Sequence, residues 1–208
     1  MMVRTSDSLH SSLDELARRE PAFARIIDEK GRPEPRSSEP GVGTLLRTIV
    51  GQQVSVAAAR SMWAKLTAKF GDPIDLAALL AADDASLREA GLSRQKAGYA
   101  RSLAGLVLLG ELDLANLPAD DEEAIAELIK IKGIGRWSAE IYLLFAEGRP
   151  DAFPAGDLAV QIELGRLLGQ EERPNEKQVR EWAEAWRPHR GAAAVLAWHS
   201  YNNVGTAL

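Results

Sequence analysis

Two short stretches of this 208-residue chain contain the residue types that could do chemistry. One is LIKIKGIGRWSAE at residues 128–140, where a Gly-Ile-Gly tripeptide lies among three cations, and the other is GRPDAFPAGD at residues 148–157, which ends in Asp157. A carboxylate fixed where a Gly/Pro-rich loop meets a helix can stabilise a developing positive charge or deprotonate a water molecule. The same residue can also be a helix N-cap, and the two roles can coexist.

The first stretch predicts a helical hairpin, residues 120–147, that binds phosphate. At Gly133-Ile134-Gly135 the chain must reverse within a few residues, and glycines supply backbone conformations that are closed to other residues. The first turn of the second helix leaves several backbone N–H groups without partners, which suits a phosphate oxygen, and Lys130, Lys132 and Arg136 lie close enough to add charge. For the tripeptide alone, an ordinary hairpin without a ligand is the alternative interpretation.

The composition limits the kind of partner and the kind of site. With 25 Lys and Arg against 30 Asp and Glu, the formal charge is -5, so any nucleic-acid contact must come from a local patch rather than a basic coat. The absence of cysteine excludes disulfides, a thiolate zinc site and a Cys-ligated iron-sulfur cluster. The three histidines form no cluster with acids at ligand spacing, so we expect no catalytic metal. The sequence has neither a signal-peptide pattern nor an apolar run that spans a bilayer, which predicts a cytoplasmic protein without membrane contact.

Helical spacing of apolar residues between clusters of Gly, Pro and Asp predicts an all-α fold, since no stretch alternates cleanly enough for a sheet. The predicted helices cover approximately 8–19, 21–30, 43–70, 74–82, 84–90, 93–109, 120–131, 136–147, 157–169, 175–186 and 190–201. The segment 31–43, rich in Pro, Gly and Ser, is interpreted as a linker or surface loop. We therefore predict a central helical lobe, 41–150, and a second lobe formed by the chain ends, 1–40 and 151–208, with Asp157 at the seam.

Three stretches together resemble the helix-hairpin-helix (HhH-GPD) DNA glycosylase superfamily, and most closely its 3-methyladenine DNA glycosylase II (AlkA-like) branch. They are TIVGQQVSVAAARSMWAKL at 48–66, LIKIKGIGRWSAEIYLLFA at 128–146 with FPAGDLAV at 153–160, and WRPHRGAAAVLAWHSY at 186–201. The resemblance implies a two-lobed fold with the active-site cleft between the lobes. Longer members of the branch carry an N-terminal β-sheet domain for which this chain has no room, so it is similar to the compact bacterial or archaeal form.

The resemblance implies a monofunctional DNA glycosylase of base excision repair, a monomer that flips an alkylated base of the 3-methyladenine type out of damaged double-stranded DNA. Asp157 matches the catalytic acid, which would stabilise the charge that develops on the deoxyribose as the N-glycosidic bond breaks to leave an abasic site. Asp151, the other acid of the loop, is expected to have a surface role or to brace the loop. Relatives that also cut the strand carry a lysine nucleophile where this chain has Trp137, so we expect no lyase step.

The resemblance also assigns a base pocket and a wedge. The pocket residues are Trp137, Ile141, Tyr142 and Trp198, although Trp137 is in register with the apolar residues of its helix, so core packing is an equal alternative. Gln53 occupies the wedge position, which fills the gap left by an extruded base. Without the resemblance, Gln52 and Gln53 would be polar helical residues with no assigned function.

The remaining assignments concern DNA and metal contacts. No cofactor is required by the implied reaction, and no iron-sulfur cluster is expected. Relatives hold a monovalent cation on hairpin carbonyls, which for Na⁺ or K⁺ would come here from Ile129, Ile131 and Ile134. The residues expected to contact DNA are Gln53, Lys130, Lys132, Gly133, Gly135, Arg136 and Ser138.

Two other functions remain open from the sequence. One is a non-enzymatic helix-hairpin-helix protein that recognises duplex structure, but such a protein would have no use for Asp157 together with Trp198. The other is a bifunctional glycosylase/lyase acting on oxidised bases, which Trp137 and the lack of cysteine disfavour.

Overall fold

The computed structural model describes residues 5–202, and within that range it is helical with no β-strand, which confirms the all-α prediction. A π-helical turn, Leu143–Glu147, directly follows α9, and a 3-10 turn, Glu184–Trp186, follows α11. None of the described helices is both long and apolar enough to span a membrane. The α-helices are α1 (Ser6–Arg19), α2 (Pro21–Lys30), α3 (Val42–Gly51), α4 (Val56–Phe70), α5 (Leu76–Ala81), α6 (Asp84–Glu89), α7 (Arg94–Leu108), α8 (Asp121–Leu128), α9 (Arg136–Tyr142), α10 (Leu158–Leu167), α11 (Glu176–Ala183) and α12 (Arg190–Asn202).

Short polar side chains fix the first residues of many of these helices. Each accepts a backbone N–H from the first turn of its helix, which satisfies a donor that has no partner inside the helix. The polar clusters between the predicted helices therefore mark boundaries that the chain adopts. The residues that cap in this way include Ser55, Asp75, Asp83, Ser93, Asp120, Asp157 and Asn175.

The predicted helix 43–70 is two helices, α3 and α4, separated by residues 52–55. Ser55 caps α4 by accepting the Ala58 N–H at 3.2 Å, and Gln53 has φ +55°, a left-handed conformation that interrupts a helix. The single-helix prediction was wrong because the apolar periodicity continues across a segment whose polar residues end one helix and cap the next.

The predicted helix 136–147 changes character before its end. The α-helical hydrogen-bonding pattern of α9 stops at Tyr142, and Leu143–Glu147 forms the π-helical turn. Two carbonyl groups of this turn accept hydrogen bonds from residues outside it. The Ser38 N–H donates to the Phe145 carbonyl oxygen and the Arg149 N–H donates to the Leu143 carbonyl oxygen, both at 2.9 Å. The contact from Ser38 comes from a distant part of the chain, and apolar spacing alone does not predict such a turn.

Contacts divide the chain into two compact units. We call the described residues of Met1–Ser38 and Leu143–Leu208 the terminal unit, and Glu39–Tyr142 the central unit. The second lobe boundary was predicted after residue 150, whereas this division lies before Leu143. The π-helical turn belongs to the terminal unit, where its Phe145 ring contacts Trp198.

The core of the terminal unit is formed by apolar faces of α1, α2, α10 and α12. Trp186 contacts Phe23 of α2 and Phe153 of the loop before Asp157 edge-on, with ring centroids 5.0 and 6.4 Å away. This aromatic cluster attaches the loop before Asp157 to the core. Elsewhere in the core, burial of each leucine side chain contributes about 1.5–3 kcal/mol to the stability of the fold. The buried side chains include Leu9, Leu13, Leu16, Phe23, Ile26, Leu164 and Leu196.

The core of the central unit lies among α3, α4, α5, α6, α7 and α8. Ile131 and Ile134 of the turn between α8 and α9 are also buried, so the hairpin turn is anchored in this core. The fully buried leucines and isoleucine that these helices contribute are Leu45, Leu46, Ile49, Leu66, Leu79, Leu87, Leu103 and Leu128.

Candidate functional site

Asp157 lies at the end of the Gly/Pro-rich loop and at the start of α10. Its Oδ1 accepts the Val160 N–H at 3.0 Å, so it is the N-cap of the helix, and its own N–H donates to the Pro154 carbonyl at 2.9 Å. The buried side chain of Gln161, one turn into α10, donates from Nε2 to the Ala155 carbonyl at 2.9 Å. These contacts hold the carboxylate in place. It is only half-buried, so it is still accessible.

Trp198 of α12 binds the same carboxylate. Its indole Nε1–H donates to Asp157 Oδ1 at 3.0 Å, and its ring lies against Phe145 with centroids 5.7 Å apart. The structure thus brings together the expected catalytic acid and one expected pocket aromatic. A carboxylate that accepts both an indole and a backbone N–H is fixed in direction, which suits it to a charge that develops at one place.

The loop before Asp157 is held by α12 as well as by the core. Asp151 accepts from Arg187, which lies just before α12, at 2.5 Å and from Arg190 Nε of α12 at 2.9 Å, which favours the loop-bracing alternative over a surface role. The Gly191 N–H donates to the Pro150 carbonyl at 2.8 Å, and a Cβ at Gly191 would lie only 2.7 Å from that oxygen. A side chain at position 191 would therefore displace the loop.

A cavity of about 370 Å³ lies beside Trp198 and Phe145 in the terminal unit, within the size range of small-molecule pockets. One wall comes from residues 32–36, part of the segment interpreted as a linker, and Pro33 in that segment is buried. The sequence alone does not indicate that Phe145 and residues 32–36 line a cavity. No local signal marks them, because they reach the cavity through the π-helical turn and through the Ser38 contact that fixes the linker.

The hairpin turn between α8 and α9 has the expected reversal. Gly133 has φ +85°, and a Cβ there would overlap the Tyr99 ring, so glycine is required for two reasons. The Lys132 N–H donates to Ser102 Oγ at 3.1 Å. Gly135 differs from the expectation, since its φ is not in the left-handed region and a Cβ would meet no atom within 4 Å. The folded chain therefore leaves room for a side chain at position 135, and a requirement for glycine there would have to come from a bound partner.

Two of the three expected phosphate-binding cations are already paired. Lys130 Nζ lies 2.6 and 2.7 Å from the two carboxylate oxygens of Glu127, and Arg136 binds Glu122 at 2.8 Å and the buried Glu140 at 3.0 Å. These carboxylates compensate both charges, so the expectation that Lys130 and Arg136 add net positive charge needs correction. Lys132 is exposed, and within residues 5–202 no acidic group lies at ion-pair distance from its ammonium group.

The other expected pocket residues belong to α9 of the central unit. Trp137 is 46% exposed, so the alternative that it fills the core is wrong. Ser138 and Ile141 are half-buried. Tyr142 is buried, and its hydroxyl oxygen accepts the Gly41 N–H at 2.7 Å, which fixes the start of α3. The membership of Trp137, Ile141 and Tyr142 in a base pocket stays a prediction.

Gln53 lies at the break between α3 and α4. Its side chain is exposed and its backbone has the only positive φ among the non-glycine residues in 5–202. A left-handed non-glycine residue is uncommon and persists only when its surroundings determine it. The described residues contain no group of three His, Cys, Asp or Glu side chains placed to hold a metal ion.

Replacing Gly133 with Ala is expected to destabilise the fold by about 2–4 kcal/mol, because a left-handed alanine costs about 1–2 kcal/mol and the Cβ must displace Tyr99. The free energy of unfolding in urea measures this. Gly135→Ala is the matched control, since its Cβ has room, and it is expected to change stability by less than about 1 kcal/mol. Equal losses in the two variants would contradict the role assigned to Tyr99.

Comparison with known proteins agrees with this geometry. The chain is 30% identical over 165 residues to DNA-3-methyladenine glycosylase 2 of Escherichia coli, covering 74% of this chain and 56% of that protein. It is 29% identical over 161 residues to DNA-3-methyladenine glycosylase 1 of Schizosaccharomyces pombe, covering 74% of this chain and 69% of that one. The chain therefore spans little more than half the length of the Escherichia coli relative.

Solved structures and family models give the same assignment. A DNA-3-methyladenine glycosidase from Bacillus halodurans superimposes with a TM-score of 0.83 at 28% identity, covering 94% of this chain and 89% of that one. Residues 46–188, which include the hairpin, the loop and Asp157, match the family model of the HhH-GPD superfamily base excision DNA repair proteins. The chain belongs to the HhH-GPD superfamily of base excision DNA repair proteins.

Proposed function

We propose that this chain is a monofunctional DNA glycosylase that removes alkylated bases from duplex DNA by hydrolysis of the N-glycosidic bond. The observation that carries the proposal is the Asp157 carboxylate, fixed at the end of its loop by the Val160 N–H and by the Trp198 indole. A protein that only binds DNA needs no acid held in this way beside an aromatic cavity.

The acid acts on the sugar. As the bond from C1′ to the base nitrogen breaks, its electron pair leaves with the base and positive charge develops on the deoxyribose. The Asp157 carboxylate stabilises that charge and accepts a proton from the water whose oxygen bonds to C1′. The products are the free base and an unbroken strand with an abasic site.

The substrate class rests on the aromatic groups and on the relatives. Alkylation of a purine ring nitrogen gives the base a positive charge, which an indole face attracts by about 0.5–2 kcal/mol. Trp198 and Phe145 offer such faces in the terminal unit. Relatives named for 3-methyladenine release support the same class of base for this chain.

The proposal includes no lyase step. A lyase needs an amine that forms a Schiff base with the sugar, and at the position where related bifunctional enzymes carry lysine this chain has Trp137. An indole cannot supply this nucleophile.

The hairpin binds the DNA backbone in this proposal, with damaged duplex DNA as the partner. Lys132 supplies the charge, and the N–H groups near Gly135 supply hydrogen bonds to a phosphate. Gly135 is then required because a Cβ would obstruct the phosphate, which explains why the folded chain itself leaves that space open.

A monovalent cation at the hairpin is compatible with the donor atoms. The carbonyls of Ile129, Ile131 and Ile134 are neutral oxygen donors at the turn, and the Ile131 carbonyl, which accepts the Ile134 N–H at 3.0 Å, retains a second lone pair. When bound, Na⁺ or K⁺ would add positive charge near a phosphate. The reaction itself needs no contribution from it.

Removing the Lys132 charge is expected to weaken binding to damaged and undamaged duplexes alike, because a phosphate contact carries no sequence information. For Lys132→Ala, the slope of log Kd against log salt should fall by about one unit. Lys130→Ala is the matched control, and its smaller effect follows from the Glu127 ion pair. Affinities measured by fluorescence anisotropy at several salt concentrations check this, and equal effects of the two substitutions would contradict it.

A panel of duplex oligonucleotides tests the function as a whole. Each duplex carries one methylated, deaminated or oxidised base, and release of the free base is measured by chromatography. We expect release from duplexes with 3-methyladenine or 7-methylguanine and little from those with oxidised bases. Binding without release from any duplex would overturn the proposal in favour of a non-enzymatic DNA-binding protein.

A further inference from the structure

The segment between α3 and α4 is tied to the hairpin turn by one side chain. Gln52 is half-buried, and its Nε2–H donates to the Gly133 carbonyl oxygen at 2.8 Å. Both residues belong to the central unit. We call residues 52–55 the wedge loop, because it contains Gln53, the residue at the wedge position. The hydrogen bond therefore joins the wedge loop to the turn proposed to bind phosphate.

The hairpin turn at one end of this hydrogen bond, and the end of α3 directly before Gln52 at the other, are each fixed by other contacts. The Gly133 turn lies directly against the Tyr99 ring, so close that a Cβ would not fit. On the other side, Lys96 is only 9% exposed and its Nζ donates to the Val50 carbonyl at 2.7 Å, in the last turn of α3. Val50 directly precedes Gly51 and Gln52 in the chain, so the end of α3 is held as firmly as the hairpin turn.

Packing alone does not hold the wedge loop between these two points. A cavity of about 370 Å³ lies beside it, and Gln52, Gln53 and Val54 all line that cavity together with Tyr99 and Lys96. Side chains next to open space lose the contacts that would otherwise fix them. The left-handed backbone of Gln53 must therefore be maintained by directed contacts, and the Gln52 hydrogen bond is the one that reaches across to the hairpin.

We propose that Gln52 is a positioning residue, which holds the wedge loop and the hairpin turn as one rigid surface so that Gln53 is placed for insertion into DNA. This inference rests on the proposed function and deepens it. Base extrusion requires that the protein bind the DNA backbone and fill the gap left by the extruded base in the same complex. A loop already in place avoids the entropy loss of ordering it at that step.

The inference predicts a defect that depends on whether the lesion is paired. Gln52→Met keeps the length of the side chain and removes the donor. Single-turnover release of 7-methylguanine from a fully paired duplex should fall roughly fivefold to tenfold, as expected for one lost hydrogen bond. For the same lesion in a single-nucleotide bulge, which is unpaired before the enzyme binds, the rate should change by less than about twofold. Retained activity on the bulge also shows that the variant is folded.

Gln95→Met is the matched control. Gln95 lines the same cavity, but its amide donates to the Tyr99 hydroxyl at 2.6 Å and does not bind the wedge loop. We expect this variant to release the base from both duplexes at the wild-type rate. In Gln52→Met, a reporter base next to the paired lesion should also show a smaller fluorescence rise on binding.

Two outcomes would overturn the inference. Equal losses on the paired and bulged duplexes would indicate a general structural role for Gln52, and an unchanged rate on the paired duplex would show that the tie is dispensable. A wild-type protein inactive on both duplexes would instead overturn the proposed function. The failure of one proposal is thus distinguishable from the failure of the other.

Discussion

Replacing Asp157 with Asn is expected to reduce single-turnover base release on the order of a hundredfold or more, which corresponds to about 2.7 kcal/mol of barrier height. Asn has the same shape, and its carbonyl oxygen can still accept the Val160 and Trp198 N–H groups. It carries no charge, however, and it cannot take a proton from water. The expected loss therefore measures the contribution of the negative charge, separated from helix capping.

The controls for this variant are stability and affinity. The free energy of unfolding and the affinity for a lesion duplex should stay close to the wild-type values, because the N-cap is retained. Asp75→Asn is the matched substitution, since Asp75 caps α5 by accepting the Ala77 and Ala78 N–H groups and no chemistry is assigned to it. Base release by Asp157→Asn at the wild-type rate would refute the catalytic role of this carboxylate.

The second large effect is expected at Trp198, whose two contributions can be separated. Trp198→Phe keeps an aromatic ring against Phe145 and removes the N–H that binds Asp157 Oδ1. Release should fall about tenfold, because a hydrogen bond to a charged group contributes about 1.5–3 kcal/mol and only part of that is lost when the carboxylate can reorient. Trp198→Ala removes the ring as well, and we expect a loss on the order of a hundredfold for cationic alkylated bases.

Binding to a duplex with an abasic site distinguishes this account from misfolding. Such a duplex has no base to contact the indole face, so its affinity should fall far less than base release does. Trp63→Ala is the matched control, since Trp63 contacts the Arg47 guanidinium 4.0 Å above its ring in the central unit, whereas Asp157 belongs to the terminal unit. Equal losses of affinity and release in Trp198→Ala would favour a general structural role.

Local signals in the sequence predicted most of the fold. Side chains such as Ser93 and Asp120 cap the helices that follow them, because an N-cap acts within three residues of its own position. The same logic located Asp157 at the start of α10. The non-local Trp198 hydrogen bond, which joins residues 41 positions apart, could be found only in the folded chain.

The parts that could not be predicted depend on partners distant in sequence. The break at Gln53 interrupts an apolar pattern that continues from α3 into α4, and the π-helical turn accepts a hydrogen bond from Ser38. The charge of the hairpin was overestimated for the same reason. Glu122 neutralises Arg136 from the preceding helix, and a count of nearby lysines and arginines does not include that carboxylate.

The most direct test of the account is a product analysis of the wild-type protein. The wild-type protein is incubated with a duplex that contains 3-methyladenine, with and without borohydride. The released base, the DNA strand and the protein are then each analysed. We expect free base, an unbroken strand that alkali cleaves at the abasic site, and no covalent protein–DNA adduct, because Trp137 offers no amine. A strand cut without alkali, or an adduct trapped by borohydride, would contradict the monofunctional mechanism, and the absence of free base would contradict the assignment as a glycosylase.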